Sequence, residues 1–321
     1  MSESLEASYR WCKQRCRESG SSFCWTFGLL GRDASMGMYA LYAFARITDD
    51  LADGLEPTSQ KSHDLRAWRQ QLLSHCNADC DAQRPASPLP EQLKKYDPLW
   101  LALNDTVAKF DIPLHLLDAV VQGVNMDVNH QQPKEWHDLD DYCYHVASAV
   151  GLACTKIWQA NTSLPQQLAI DCGIAFQLTN ILRDIADDAR HGRIYVPLSE
   201  FECFGVTPAS WLRGGPEGEW SEMVLSIAAR AEVLYKSGWE TKQFLPPPGQ
   251  RVFSLMWRYY HELLHQVCRH REQLWDRKRL RIPSVIRARL AAQHFIPQLY
   301  GRLHNPLFLE GQLSMGSPVP K

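Results

Sequence analysis

The chain has 321 residues, with 34 Lys+Arg against 36 Asp+Glu and a formal net charge of −2 when histidines are neutral. Hydrophobic residues make up 45% and charged residues 22%, which excludes wholesale disorder, and the near-zero charge balance excludes nucleic-acid binding by bulk electrostatics. The length allows one large domain or two ordinary ones, either with a substantial core.

From the N-terminus, Met1-Ser-Glu-Ser-Leu-Glu has neither a basic nor an apolar region, so no signal peptide is predicted. Helical periodicity dominates thereafter. It predicts helices over 36–53, 99–109, 114–129, 138–160, 166–189, 220–244 and 252–271. Breakers separate them: a polar loop with Pro85, Pro88 and Pro90, the run Gly214-Gly215-Pro216, and the run Pro246-Pro247-Pro248-Gly249. Alternating β-branched runs are almost missing, so the expected fold is a single all-α domain, with a flexible tail from Asn305. The longest uncharged stretch near the middle, Tyr142 to Thr155, is 14 residues. That falls short of the roughly 18–20 needed to span a bilayer, so a cytoplasmic protein with at most peripheral membrane contact is expected. Ten cysteines contain no CxxC spacing, which argues against a zinc ribbon or dithiol site. The i,i+4 pairs Cys12/Cys16 and Cys76/Cys80 read as buried thiols of a reducing compartment.

Two of the predicted helices each carry a DxxxD pair. At about 100° per residue, Asp49 and Asp53 lie one turn apart on one face, with Tyr42 and Arg46 within roughly 60° of Asp49. On the second helix Gln177, Asn180, Asp184 and Asp188 fall within an arc of about 80°. Asp50 and Asp187 point away from these stripes. One such pair alone usually marks a solvated face. Here both pairs sit among apolar residues (Tyr39, Leu41, Phe44 and Ile47; Ile174, Phe176, Leu178 and Ile181). Like-charge repulsion in that setting calls for a counter-cation. Carboxylates without His or Cys suit a hard cation such as Mg²⁺, which completes its shell with phosphate oxygens. Arg46 and Arg183, close to each pair, can bind phosphate or pin a carboxylate. The pattern points to ionisation of an organic diphosphate beside an apolar pocket.

At these residues the chain resembles the squalene/phytoene synthase family of head-to-head prenyltransferases. The resemblance runs roughly from Ser19 to Arg289 in five ordered motifs. They are Ser19-Gly-Ser-Ser-Phe23; Tyr39 to Arg46 with Asp49-Asp50-Leu-Ala-Asp53; Asp141-Tyr142-Cys-Tyr144 to Gly151; Phe176-Gln177 to Asp188; and Gly192-Arg193-Ile-Tyr195-Val-Pro197. The resemblance implies an isoprenoid-synthase-like helical bundle around a central cavity, spanning 1–304, with 305–321 as the tail. It implies that Asp49, Asp53, Asp184 and Asp188, supported by Gln177 and Asn180, hold Mg²⁺ (or Mn²⁺ in its place). Arg46, Arg183, Arg193, Tyr195, Ser19, Phe23 and Tyr42 would face the diphosphates. Tyr142 would face the reacting carbons, Val146 would share its face toward the prenyl chain, and Tyr260 would help close the site. The small residues Ala147, Ser148, Ala149 and Gly151 serve either a polyprenyl tail or close helix packing, and spacing does not separate the two.

The implied substrates are two prenyl diphosphates, with farnesyl favoured and geranylgeranyl, as in a phytoene synthase, the alternative. NADPH use stays open, because no G-x-G-x-x-G fingerprint is present but squalene synthases of this family use NADPH without one. Oligomeric state is not readable. Three competing readings differ in class: a metal phosphohydrolase using the pairs His63-Asp64 and His137-Asp138, a class I terpene cyclase, and a non-catalytic helical assembly factor of the same fold.

Overall fold

The apolar stripes of the periodic segments cannot stay exposed, and the chain buries them helix against helix. The computed structural model describes residues 2–19, 24–54, 56–76, 90–214, 217–275, 280 and 282–283. Among these residues no strand occurs. The α-helices run α1 (Glu3–Glu18), α2 (Arg32–Asp53), α3 (Thr58–Cys76), α4 (Pro98–Phe110), α5 (Leu114–Val128), α6 (Trp136–Cys143), α7 (Ala149–Ile157), α8 (Gln166–Arg190), α9 (Leu198–Cys203), α10 (Pro208–Leu212), α11 (Trp220–Trp239) and α12 (Pro247–Arg269). Residues 1–282 make one compact unit. The tail expected from Asn305 lies outside the described residues.

Two groups of helices carry the two acidic segments. α2 packs on α1, α3, α4 and α5, while α8 packs on α6, α7, α11 and α12. α5 touches both α2 and α7, and so lies between the groups. Each acidic helix is locked from behind by a buried threonine. Thr48 donates to Phe44 O (2.8 Å) and accepts from Trp68 Nε1 (2.9 Å). Thr179 donates to Ala175 O (2.8 Å) and shares a hydrogen bond with the Tyr235 hydroxyl (2.8 Å). All four of these side chains are fully buried. On an α-helix each threonine lies about 100–180° around from its aspartates. Anchoring the threonine inward therefore turns the carboxylates the other way.

Several boundaries differ from those predicted. The helix expected over 138–160 starts at Trp136 with a Glu135/Asp138 capping box and ends at Ile157, just before Gln159 adopts φ 57°. It also contains a π-turn over Tyr144–Ser148. The extra residue there shifts the register between α6 and α7. The helix expected over 220–244 ends at Trp239 and tightens into a 3₁₀ turn over Glu240–Phe244. The Pro246–Gly249 run begins α12 instead of forming a loop, because proline at a first helical position forfeits only an amide that has no partner there.

Ser148, Ala149 and Ala153 are fully buried, and their neighbourhood shows why they are small. A Cβ built on Gly173 of α8 would lie 2.5 Å from Ser148 Cα, and Ser148 Oγ donates to Ile170 O at 2.8 Å. At Ser148 the small side chain serves helix packing. The cysteine expectation also needs correction. Cys16 and Cys24 are joined by a disulfide, with Cα atoms 6.1 Å apart. Cys12, the expected i,i+4 neighbour of Cys16, stays a buried thiol, as do Cys76, Cys143, Cys154, Cys172 and Cys268, whereas Cys203 is exposed.

Gly173→Ala is expected to destabilise the fold by about 1–3 kcal/mol, because the added methyl meets backbone that cannot swing away. A urea titration followed by helical circular dichroism measures this; an unchanged midpoint would mean that α8 does not approach the π-turn this closely.

Candidate active site

The two acidic stripes meet around a residue the sequence reading did not single out, Asp127 near the end of α5. Tyr195 Oη donates to Asp127 Oδ1 at 2.7 Å, and the Tyr142 hydroxyl is a second hydrogen-bond partner of the same carboxylate. The two tyrosine rings stack with centroids 5.1 Å apart, and both are buried. Asp127 interacts electrostatically with Asp49 and Asp53 of α2 and with Asp188 of α8. Burial holds its carboxyl above the ordinary range, against the two tyrosine hydrogen bonds and Arg193, which pull it down. Nothing in the periodicity marks Asp127, since the other carboxylate of the apolar helix predicted over 114–129, Asp118, lies nine residues away and the two form no one-turn pair. Its only signal is that it lies near the end of that helix, just before the polar run Asn129-His130-Gln131-Gln132.

The segment after the second acidic stripe is fastened to this point. Gly192 takes φ 74°, a backbone turn that glycine adopts without strain, and Arg193 N donates to Asp188 O at 2.9 Å. His130 Nε2 accepts from Ile194 N (3.0 Å), and Gln132 Nε2 donates to Val196 O (3.1 Å). These contacts bring Arg193 into electrostatic reach of Tyr195, Asp127 and Asp53.

Asp49 and Asp188 carry the mark of crowded negative charge. Burial, with Asp53, Asp127 and Asp50 adding to it, pushes the Asp49 carboxyl up to about 7 despite the opposing pull of Arg46. Burial followed by Asp184 does the same for Asp188, also to about 7, despite Arg193. Asp49 nevertheless keeps substantial accessible surface. A carboxyl that is both surface-accessible and surrounded by protein atoms lines a recess. Tyr260 shows the same combination: it keeps part of its surface, yet burial raises its hydroxyl pKa, with Arg183 and an Asn180 hydrogen bond opposing. Its ring stacks on Phe176 at 4.4 Å.

The remaining expected site residues fall into two groups. Arg183 forks onto its neighbour Asp184 through Nε (2.7 Å) and Nη2, with both side chains largely buried. Asn180 Nδ2 donates to Gln177 Oε1 at 3.3 Å, and Asn180 Oδ1 is buried with no hydrogen-bond partner among the described residues. Arg46 pairs with Asp50 at 2.7 Å. Ser19 Oγ and Tyr42 Oη share a hydrogen bond of 2.9 Å. Both line a cavity of about 270 Å³ together with Arg46 and Asp50. Val146 packs against Gly123 of α5, where a Cβ would sit 2.7 Å from its Cγ1. Phe23 lies outside the described residues.

The donors along the two stripes and Asp127 are all oxygen, they include an amide oxygen unpartnered among the described residues, and they carry more negative charge than the local arginines offset. That is the set a hard divalent cation takes. The His–Asp pairs offer no comparable site. Asp64 accepts from Gln60 (2.8 Å) and Gln92 (3.0 Å), and Asp138 caps α6. Among the described residues, one group brings three His, Cys, Asp or Glu ligand atoms within 4.8 Å of one another. It is Glu232, His261 and His265, and it shares no residue with the acidic stripes. No helix of the described residues is long and apolar enough to cross a membrane.

Residues 16–285 match the family described as Squalene/phytoene synthase. Phytoene synthase 3 of Zea mays is 33% identical over 242 residues, covering 74% of this chain. The chain spans about half the length of that relative (53%). Phytoene synthase of Arthrospira platensis is 28% identical over 284 residues, covering 84% of this chain and 87% of its own. A crystal structure of a dehydrosqualene synthase in complex with ligand superposes with a TM-score of 0.76 at 25% identity, covering 92% of this chain and 98% of its own.

The raised carboxyls set a pH dependence. An unfolded aspartate releases its proton near 3.8, whereas Asp49 and Asp188 in the folded chain hold theirs to about 7. Between those values the folded state binds more protons, so stability falls as pH rises through the window. For chelator-treated protein the chemical-denaturation midpoint should therefore drop from about pH 4 to pH 7 and then level off. Asp49→Asn or added Mg²⁺ should flatten the drop. Parallel curves for wild type and Asp49→Asn would refute the assignment of the shift.

Proposed function

Since the chain belongs to the squalene/phytoene synthase family, whose members transfer prenyl groups, we propose that it joins two prenyl diphosphates head to head. The observation that carries this reading is Asp127, within electrostatic reach of Asp49 and Asp53 on one helix and Asp188 on the other. Two carboxylate rows converging on one recess suit a cation–diphosphate cluster; rows on opposite outer faces would not.

Asp49, Asp53, Asp184 and Asp188, with Asn180 Oδ1 turned inward, would hold Mg²⁺, or Mn²⁺ in its place. Bound there, the metal would neutralise diphosphate charge and ease departure of the leaving group. Arg193, held over the cluster by its backbone bond to Asp188, would contact diphosphate oxygens. Arg183 orients Asp184, and Gln177 orients Asn180. Ser19 and Tyr42, joined by their hydrogen bond, would close the diphosphate end near Arg46.

Tyr142 stands with its ring stacked and its hydroxyl committed to Asp127, and burial with that carboxylate raises its pKa well above the usual phenol value. It would stay neutral, hold Asp127 in place and present its π face to the allylic cation. The stacked Phe176–Tyr260 pair and Val146 would add apolar wall, keeping water from quenching that cation. With the first diphosphate gone, the double bond of the second substrate would attack the cation, and loss of a proton from the resulting cation would close the ring of a cyclopropylcarbinyl diphosphate. Departure of the second diphosphate, rearrangement, and loss of a proton or addition of hydride from NADPH would then give a C40 or C30 hydrocarbon.

The names of the relatives favour the geranylgeranyl donor and phytoene as product. The farnesyl donor favoured on sequence grounds keeps support from the likeness to a dehydrosqualene synthase.

Incubation with each diphosphate and Mg²⁺, with and without NADPH, followed by mass spectrometry, tests both levels. A C40 product from geranylgeranyl diphosphate is expected. A C30 product alone would overturn the donor assignment, and no hydrocarbon or cyclopropyl diphosphate from either would overturn the reaction class. Asp49→Ala and Asp184→Ala should each lower kcat/KM by at least about 10²–10³-fold with helical content intact. Tyr142→Phe removes one hydrogen bond to a carboxylate and should lower kcat about 10–100-fold with little change in KM. An equal loss in both constants would make Tyr142 a packing residue only.

A further inference from the structure

Away from the acidic recess, Glu232 on α11 faces His261 and His265 on α12. The two histidines are four residues apart and so share one face of their helix. Glu232 and His261 are buried, and His265 is half-buried. Glu232 Oε1 and Oε2 each lie 2.9 Å from His261 Nε2, and the two imidazoles meet edge to face with centroids 4.6 Å apart. One ligand atom from each of the three residues falls within 4.8 Å of the other two.

We propose that Glu232, His261 and His265 form a second metal site, for a divalent transition ion of the zinc class, that clamps α11 to α12. Three features carry it. The ligand chemistry is that of zinc and its neighbours, two imidazoles and a carboxylate, unlike the all-oxygen set around Asp127. The spacing is within reach: ligand atoms about 2.0–2.1 Å from a tetrahedral ion stand roughly 3.3 Å apart, against 2.9 Å between His261 and Glu232 and no more than 4.8 Å from either to His265. The Glu232 carboxylate is also under-coordinated for a buried group. Among the described residues its hydrogen-bond donor is His261 Nε2 alone, shared between both oxygens.

On binding, the ion takes the place of the proton between His261 and Glu232, and that proton leaves to solvent. Cys268, on the next turn of α12, is not among the three, so a water would complete the shell. The surroundings are shaped to hold the imidazole still. His261 stacks on Trp257 at 4.5 Å, and Tyr235 stands edge-on to it at 5.1 Å.

The test uses the full chain carrying Cys203→Ser, which removes the exposed thiol, after chelation and in excess Mg²⁺ to occupy the oxygen-rich recess. Calorimetric titration with ZnCl₂ should give one site per chain and a raised thermal midpoint. CoCl₂ should give an intense visible band of low-coordinate Co²⁺, which Zn²⁺ displaces. His265→Ala and His265→Gln, at a half-buried position that tolerates both, should remove the band and weaken Zn²⁺ by more than the roughly 10–100-fold that loss of an outer partner costs. Equal Zn²⁺ binding in wild type and both variants, or none in wild type, would leave a buried hydrogen-bonded pair and overturn the proposal.

Discussion

The site is built on electrostatic repulsion that the fold is made to endure. Asp49, Asp53, Asp127 and Asp188 press negative charge into one recess, and burial amplifies what each does to the next. Left to itself such a cluster would spread into solvent, so its geometry has to be imposed from elsewhere. The threonines behind the stripes impose it. Thr48 tied to Trp68 and Thr179 tied to Tyr235 fix the rotation of each acidic helix about its own axis. The carboxylates cannot turn away without breaking a fully buried hydrogen bond, which costs about 1–3 kcal/mol for each group left unpaired.

The third side of the recess is set by a loop. The segment from Gly192 to Pro197 would be free to move if only its ends were held. Instead Ile194, Tyr195 and Val196 each bond to the end of α5 or the residues just after it. Asp127 therefore acts in two ways at once: its carboxylate adds to the negative charge between the two acidic helices, and its hydrogen bonds dock the loop that carries Arg193. On the proposed function, a change at Asp127 would reach the diphosphates through Arg193 and the prenyl chains through Tyr142.

What the sequence revealed was whatever repeats within one element. The acidic stripes, the amide row Gln177/Asn180 and most helices were legible because 3.6-residue spacing writes a face directly into the chain. The misses share a cause. Asp127 acts through partners 15 and 68 residues away, and Cys16–Cys24 joins a helix to the segment after it, so neither shows a local period. α1 and α3 went unpredicted because their polar residues dilute the apolar stripe; α3 still buries Leu65, Trp68 and Leu72. The π-turn at Tyr144–Ser148 is set by close packing on Gly123 and Gly173, which lie on other helices.

The arginines show why spacing alone could not assign phosphate contacts. Arg46 and Arg183 stand near their stripes as expected, and each spends its guanidinium on a nearby carboxylate, Asp50 for the first and Asp184 for the second. The consequences differ. Arg46 and Asp50 are both partly exposed, and such a pair is worth at most about 1 kcal/mol, so an arriving phosphate can compete for Arg46. Arg183 and Asp184 are mostly buried and joined through two parallel bonds, which a monodentate phosphate contact would not match. Arg183 is thus better suited to aiming Asp184 than to gripping substrate. On the proposed function that task would fall to Arg193, which is anchored through its backbone and leaves its side chain among Asp53, Asp127 and Tyr195. There a guanidinium faces an excess of negative charge, and a cation entering among those carboxylates would loosen their hold on it. Filling the carboxylate site and freeing Arg193 for an incoming diphosphate would then be one event.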